Sequence, residues 1–151
     1  MRLIRSPPVT VKTISLWRKE VANQIGMLAH TLEPVAKAGT NLQVLMGYRY
    51  PGDGTKAAVE LYPLAGKKVT AAAAQAGLSA SSIPTLLVEG DNRAGLGFAI
   101  AQAVAGAGIN MTFFVAQAIG RRFSAVVGLE TEADAKRAVP LIKKATASKK
   151  K

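Results

Sequence analysis

Apolar residues recur at spacings of three and four between Gln24 and Ala38, where Ile25, Leu28, Leu32 and Val35 draw one stripe along a helix. Gly39 follows as a left-handed stop, and Pro34, inside the segment, should kink the helix or tighten its last turn. Before it, "VKTISLWRKEV" is rich in β-branched residues and predicts a strand. After it, "NLQVLMGYRY" and "KAAVELYPL" predict a hairpin around "PGDGT", where proline fixes one dihedral and glycines permit others. An alanine-rich helix from about Lys67 to Ala76 stops at Gly77, and "LSASSIP" is a candidate short strand.

The pattern then repeats. At an offset of 69 residues, Glu20, Asn23, Gly26, Val35, Ala36, Ala38, Gly39 and Asn41 fall on Glu89, Asn92, Gly95, Val104, Ala105, Ala107, Gly108 and Asn110. The second copy runs through strand "PTLLVEG", a helix from about Ala94 to Ala107 with Leu96, Ile100 and Val104 on one face, and strands "INMTFFVAQAI" and "RFSAVVGLE" around "GRR". A last helix, about Glu132 to Lys144, starts at Thr131 as N-cap with acidic residues in its first turn and is interrupted by Pro140.

Strand, helix, hairpin, helix, strand is the ferredoxin-like unit, an antiparallel sheet with both helices on one face. The fold class expected is therefore α+β, with two such modules in tandem. Residues 1–83 form the first module with an N-terminal extension, 84–145 the second, and 146–151 a basic tail. The second copy lacks a final strand of its own. Residues from about Leu3 to Val11, or a neighbouring chain, are expected to fill that place.

Composition narrows the function. The chain has no cysteine, which removes disulfides, thiolate nucleophiles and thiolate metal sites. The net charge of +11 raises nucleic acid as a partner, but Lys143, Lys144, Lys149, Lys150 and Lys151 crowd one end and Arg2 and Arg5 the other, so a solvated tail is the better reading. The start, "MRLIRSPPVTVK", has two arginines but no apolar run of the length a signal peptide needs, no segment approaches the ~18 apolar residues of a membrane span, and a cytoplasmic protein is expected. His30 is the single histidine and falls off the apolar stripe. Ser79, Ser81 and Ser82 have no base nearby in sequence, and Glu130, Glu132 and Asp134 are explained by the helix dipole. No catalytic, cofactor or metal constellation emerges, and the chain is read as no enzyme. Tyr48, Tyr50, Phe113 and Phe114 are assigned to core packing or an interface.

The stretch "GDNRAGLG", Gly90 to Gly97, joins a strand to a helix, as phosphate-binding loops do. The third glycine of a dinucleotide fingerprint would stand at Ile100, and no lysine followed by serine or threonine closes the loop. Nucleotide binding is therefore disfavoured.

From Asp91 to Met111, "DNRAGLGFAIAQAVAGAGINM" resembles the signature of ACT domains: D-x-x-G-x-L, an amphipathic helix, then glycine, an aliphatic residue and asparagine at the next strand. The copy from Ala22 to Leu42 is similar, with Ala22 where the acidic residue usually stands. The resemblance implies modules that bind a small effector, mostly an amino acid, at interfaces between paired modules, in a homodimer that regulates an enzyme of amino-acid metabolism. It places effector contacts at Asn92, Arg93, Ala94, Gly95, Leu96 and Asn110, and at Asn23, Gln24, Ile25, Gly26, Met27 and Asn41, with the second copy favoured because of Ala22. An asparagine offers both a donor and an acceptor to an amino acid, and a helix N-terminus favours its carboxylate. Asparagine beside a helix is also an ordinary cap. An interaction subunit that pairs with a metabolic enzyme and binds nothing small is the alternative.

Overall fold

The structure, a computed structural model, describes residues 9–147. The first β-branched run, expected as one strand, is two: β1 (Thr10–Ile14) and β2 (Trp17–Ala22), separated by Ser15 and Leu16 and placed in different sheets. The run is long enough for two short strands, and its apolar pattern does not mark the break. Leu16 is fully buried.

One contact unit comprises Ser15–Ser82. After β2 come α1 (Met27–Lys37), β3 (Val44–Tyr50), β4 (Asp53–Tyr62), α2 (Lys67–Gln75) and β5 (Ser79–Ala80), in an antiparallel sheet ordered β3-β4-β2-β5. Val21, Val59 and Leu61 from the sheet pack with Val35 of α1 and Ala73 of α2. Of the stripe expected on α1, Val35 is buried and Leu32 packs half-buried against the core, whereas Leu28 is exposed, Ile25 lies fully exposed before the helix, and Thr31 is buried in addition. The helix starts only at Met27, so Ile25 belongs to the loop and the inward face is set by Thr31 and Val35, four residues apart. Thr31 satisfies its hydroxyl by donating to the Met27 carbonyl at 2.8 Å.

The flanking described segments form the other unit. It contains β6 (Thr85–Asp91), α3 (Leu96–Gly106), β7 (Met111–Ile119), β8 (Arg122–Leu129) and α4 (Glu132–Thr146), in a sheet ordered β1-β6-β8-β7. Strand β1 pairs antiparallel with β6, Thr10 opposite Glu89 through Ile14 opposite Thr85. That is the place β5 takes beside β2 in the first unit. The N-terminal segment thus completes the second sheet, although with Thr10–Ile14; the earlier part of the expected stretch, Leu3 to Pro8, lies outside the described residues, as do Arg2, Arg5 and the last three lysines. A division at residue 83 assigns this strand to the first module; its pairing assigns it to the second.

Leu96, Ile100 and Val104 of α3 and Ala135, Ala138 and Ile142 of α4 are buried against Leu86, Val88, Ala125 and Val127. Each fully buried Leu, Ile or Val contributes ~1.5–3 kcal/mol over exposure. Thr131 caps α4, its hydroxyl accepting from the Asp134 amide at 3.0 Å. Two glycines record close approach. A Cβ on Gly90 would stand 2.9 Å from Val9 Cγ1, and one on Gly128 would stand 2.3 Å from the Phe113 ring. Gly90 is thus part of a strand against the N-terminal segment, outside any phosphate turn.

Candidate functional site

In each module a short loop runs from the first strand into the first helix, through Asn23–Gly26 and Asn92–Gly95. Gly26 at φ 87° and Gly95 at φ 86° precede the helices in the left-handed region, which glycine adopts without a Cβ clash. The Asn23 amide donates to the Thr55 carbonyl at 2.9 Å, and the Asn92 amide to the Arg121 carbonyl at 2.7 Å, so both loops are tied to their hairpin tips. Neither α1 nor α3 has a side-chain cap, which leaves first-turn N–H groups for water or an anion.

The second loop is tied to the elements around it. Asp91 pairs with Arg122 at 2.9 Å. Arg93, expected as an effector contact, instead donates from Nη2 to the Thr146 carbonyl at 2.8 Å and caps the end of α4. The Leu96 side chain is in the core, while Asn92, Ala94 and Gly95 are exposed. Asn110 is exposed beyond the far end of α3. With 11 residues that helix is roughly 16 Å long at ~1.5 Å per residue, so the structure does not bring Asn92 and Asn110 together. Asn23 and Asn41 are likewise separated by α1.

The first loop borders a cleft of about 380 Å³, lined by Val21, Ala22, Asn23, Gln24, Met27 and Leu28 and, from the hairpin, by Gly47, Tyr48, Arg49, Ala57, Ala58 and Val59. That volume is in the range of small-molecule sites. Of the residues expected here, Asn23, Gln24 and Met27 line the cleft; Ile25 and Gly26 lie beside it and Asn41 does not reach it. Asn23 Nδ2 donates to the Gly54 carbonyl at 2.9 Å, which fixes the amide and leaves Oδ1 as its free acceptor. Gly47 lies across from Leu28, where an added Cβ would sit 3.5 Å from the leucine methyls. Arg49, Gly47 and Tyr48 were not among the expected contacts, because only the hairpin register, Gly47 opposite Val59 and Arg49 opposite Ala57, places them beside the loop. A smaller cavity of about 80 Å³ in the second module lies on its sheet, at Glu89, Gln117, Arg122 and Ser124.

A polar network occupies the first module's sheet. The Tyr48 hydroxyl donates to Glu60 Oε2 at 2.7 Å and the Tyr50 hydroxyl to Glu20 Oε2 at 2.7 Å, while Arg18 donates to the Tyr50 oxygen. The two rings stack with centroids 6.5 Å apart. Burial, reinforced by the Glu60 carboxylate, pushes the Tyr48 phenol up; the Tyr50 hydroxyl holds the Glu20 carboxyl below its usual range. Glu60 is fully buried. His30 is exposed, and among the described residues no three metal-ligating side chains gather. No helix among them is long and apolar enough to cross a membrane.

No family model matches the chain, and no curated protein matches it in sequence. Solved structures do match in fold. A protein from Bacteroides thetaiotaomicron superposes with a TM-score of 0.69 at 13% identity, over 93% of this chain and 92% of that one. The regulatory subunit of aspartate kinase from Thermus thermophilus gives 0.57 at 19% identity, over 91% and 98%. The corresponding subunit from Thermus flavus gives 0.58 at 17% identity, over 94% and 99%. The fold is that of tandem ACT modules. The match extends along both modules, so the expected α+β architecture holds for the whole pair. The acidic position of the sequence signature is filled in the second module by Asp91, which pairs with Arg122. The first module has Ala22 opposite Lys56 on the corresponding rung of its sheet.

Proposed function

We propose that the chain is a non-catalytic regulatory or sensor protein that holds a small amino-acid effector at the strand-to-helix loop of its first ACT module. The observation that carries this reading is the 380 Å³ cleft bounded by that loop, the uncapped start of α1 and the hairpin. The fold shared with regulatory subunits of aspartate kinase supports a partner enzyme of amino-acid metabolism.

The chain works as a homodimer in this reading. Each large hydrophobic exposed among the described residues lies on, or just before, the first helix of a module or on its outer hairpin strand: Ile25, Leu28, Leu45 and Tyr48 in one, Phe98, Val115 and Ile119 in the other. Strands β3 and β7 are sheet edges, and an exposed apolar edge favours pairing with another chain. Because β3 also supplies Gly47, Tyr48 and Arg49 to the cleft, a copy docked there would meet the effector. An effector that binds the paired arrangement better stabilises it by that difference in affinity.

A thermal-shift screen of the full chain against the common amino acids tests the reading. An effector at ~100 times its dissociation constant adds ~2.7 kcal/mol of stability. The second reading, an interaction subunit without a small ligand, is favoured by the apolar residues Val115 and Ile119 on β7. It predicts no shift with any amino acid and retained binding to a partner enzyme.

A further inference from the structure

We infer that Arg49 is the carboxylate anchor of the first-module cleft, and that the cleft takes a small monocarboxylate with a neutral aliphatic body. This rests on the effector-binding reading above and names the ligand class of the same site.

Arg49 stands on β3 opposite Ala57 and contributes to the cleft wall. Among the described residues its guanidinium has no hydrogen-bond or ion-pair partner. An arginine offers five donors in a planar fork that matches a carboxylate, and here that fork is unspent. In the second module the register position that corresponds to Arg49 is Ala118, opposite Phe123, while Arg122 is committed to Asp91 and Arg93 donates to the Thr146 carbonyl. The anchor therefore exists in one module only.

The rest of the wall sets what the carboxylate can carry. No aspartate or glutamate lines the cleft, so nothing there neutralises a second cation, and a ligand side chain ending in an ammonium would lose water against the apolar wall with no counter-charge. Val21, Met27, Leu28 and Val59 offer apolar surface, which suits an aliphatic body. Asn23 Oδ1, left over when Nδ2 binds the Gly54 carbonyl, is an acceptor suited to one α-ammonium group.

Calorimetric titration of the full chain with leucine, leucinamide and lysine tests this, using the native chain, R49Q and, as a control for lost charge, K37Q on the exposed end of α1. Leucine is expected to bind. Leucinamide, which lacks the carboxylate, and lysine, which adds a cation, are expected to bind roughly tenfold more weakly or worse. R49Q is expected to lose roughly tenfold to hundredfold in leucine affinity, K37Q none, and the melting temperature of ligand-free R49Q is expected to match the native chain because Arg49 is exposed and unpaired. Leucinamide or lysine binding as tightly as leucine, or R49Q binding leucine undiminished, overturns the anchor and the ligand class while the effector-binding reading stands. A native chain that binds none of the common amino acids overturns both.

Discussion

Asp91 and Arg122 close the last rung between β6 and β8 with a contact of 2.9 Å, whereas the corresponding rung of the first module sets Ala22 against Lys56. One substitution distinguishes a structural from a binding consequence of that difference. Ala22→Asp places a carboxylate opposite Lys56 at an exposed position, where an ion pair contributes about 0.2–1 kcal/mol, so thermal melts should barely move. The same carboxylate borders the cleft, where it competes with the effector's carboxylate for Arg49, and should weaken effector binding, read by titration.

Packing at two glycines gives opposite expectations. Gly128→Ala forces a methyl into the Phe113 ring and should cost about 1–3 kcal/mol in chemical denaturation. Gly97, inside α3 with nothing near its Cβ position, should gain roughly 0.5–1 kcal/mol on substitution by alanine.

Strand β1 is held to β6 by a short ladder in which Val11 is buried opposite Val88. Val11→Asp buries a carboxylate without a partner and should release the strand, at a cost on the order of 2 kcal/mol or more. Hydrogen exchange checks it: the amides of β6 should exchange faster in the variant.

Two carboxylates have folded-state pKa values below their usual ones, Glu20 chiefly through the Tyr50 hydroxyl and Asp53 chiefly through the Thr55 hydroxyl. A depressed folded pKa means that stability is present above the unfolded value and lost as pH falls through the folded one. The chain should therefore lose stability on acidification across the carboxylate range, and Tyr50→Phe and Thr55→Ala should each flatten that loss, measured as melting temperature against pH. Tyr48→Phe acts differently: it removes the Glu60 donor, leaves a buried carboxylate unsatisfied, and should cost about 1–3 kcal/mol at neutral pH.

If the exposed apolar edge pairs two copies, Val115→Lys and Ile119→Lys together should shift the chain from dimer to monomer in light scattering after size-exclusion chromatography. Both side chains are exposed, so the folded module should survive.

Much of the fold was legible because it follows local rules. The buried stripe of Leu96, Ile100 and Val104, the Thr131 cap and both hairpins follow from periodicity and turn chemistry within short windows. On the first helix Leu32 and Val35 of the apolar stripe face the core, while Ile25 and Leu28 do not, because the left-handed turn at Gly26 delays the helix and turns Thr31 inward. The candidate site was legible only on its loop side. Asn23, Gln24 and Met27 share a segment with the recognisable signature, while Arg49 reaches the cleft from a strand whose position depends on pairing with β4.

The sequence by itself determined the repeat, the α+β class and the order of elements within each module, because side-chain periodicity and turn residues act between near neighbours. Only the tertiary structure decided that Thr10–Ile14 serves the second sheet, that Arg93 is spent on α4, and that the first loop borders the larger cleft. Those outcomes depend on which distant backbone donors and charges find partners, and no local pattern encodes that choice.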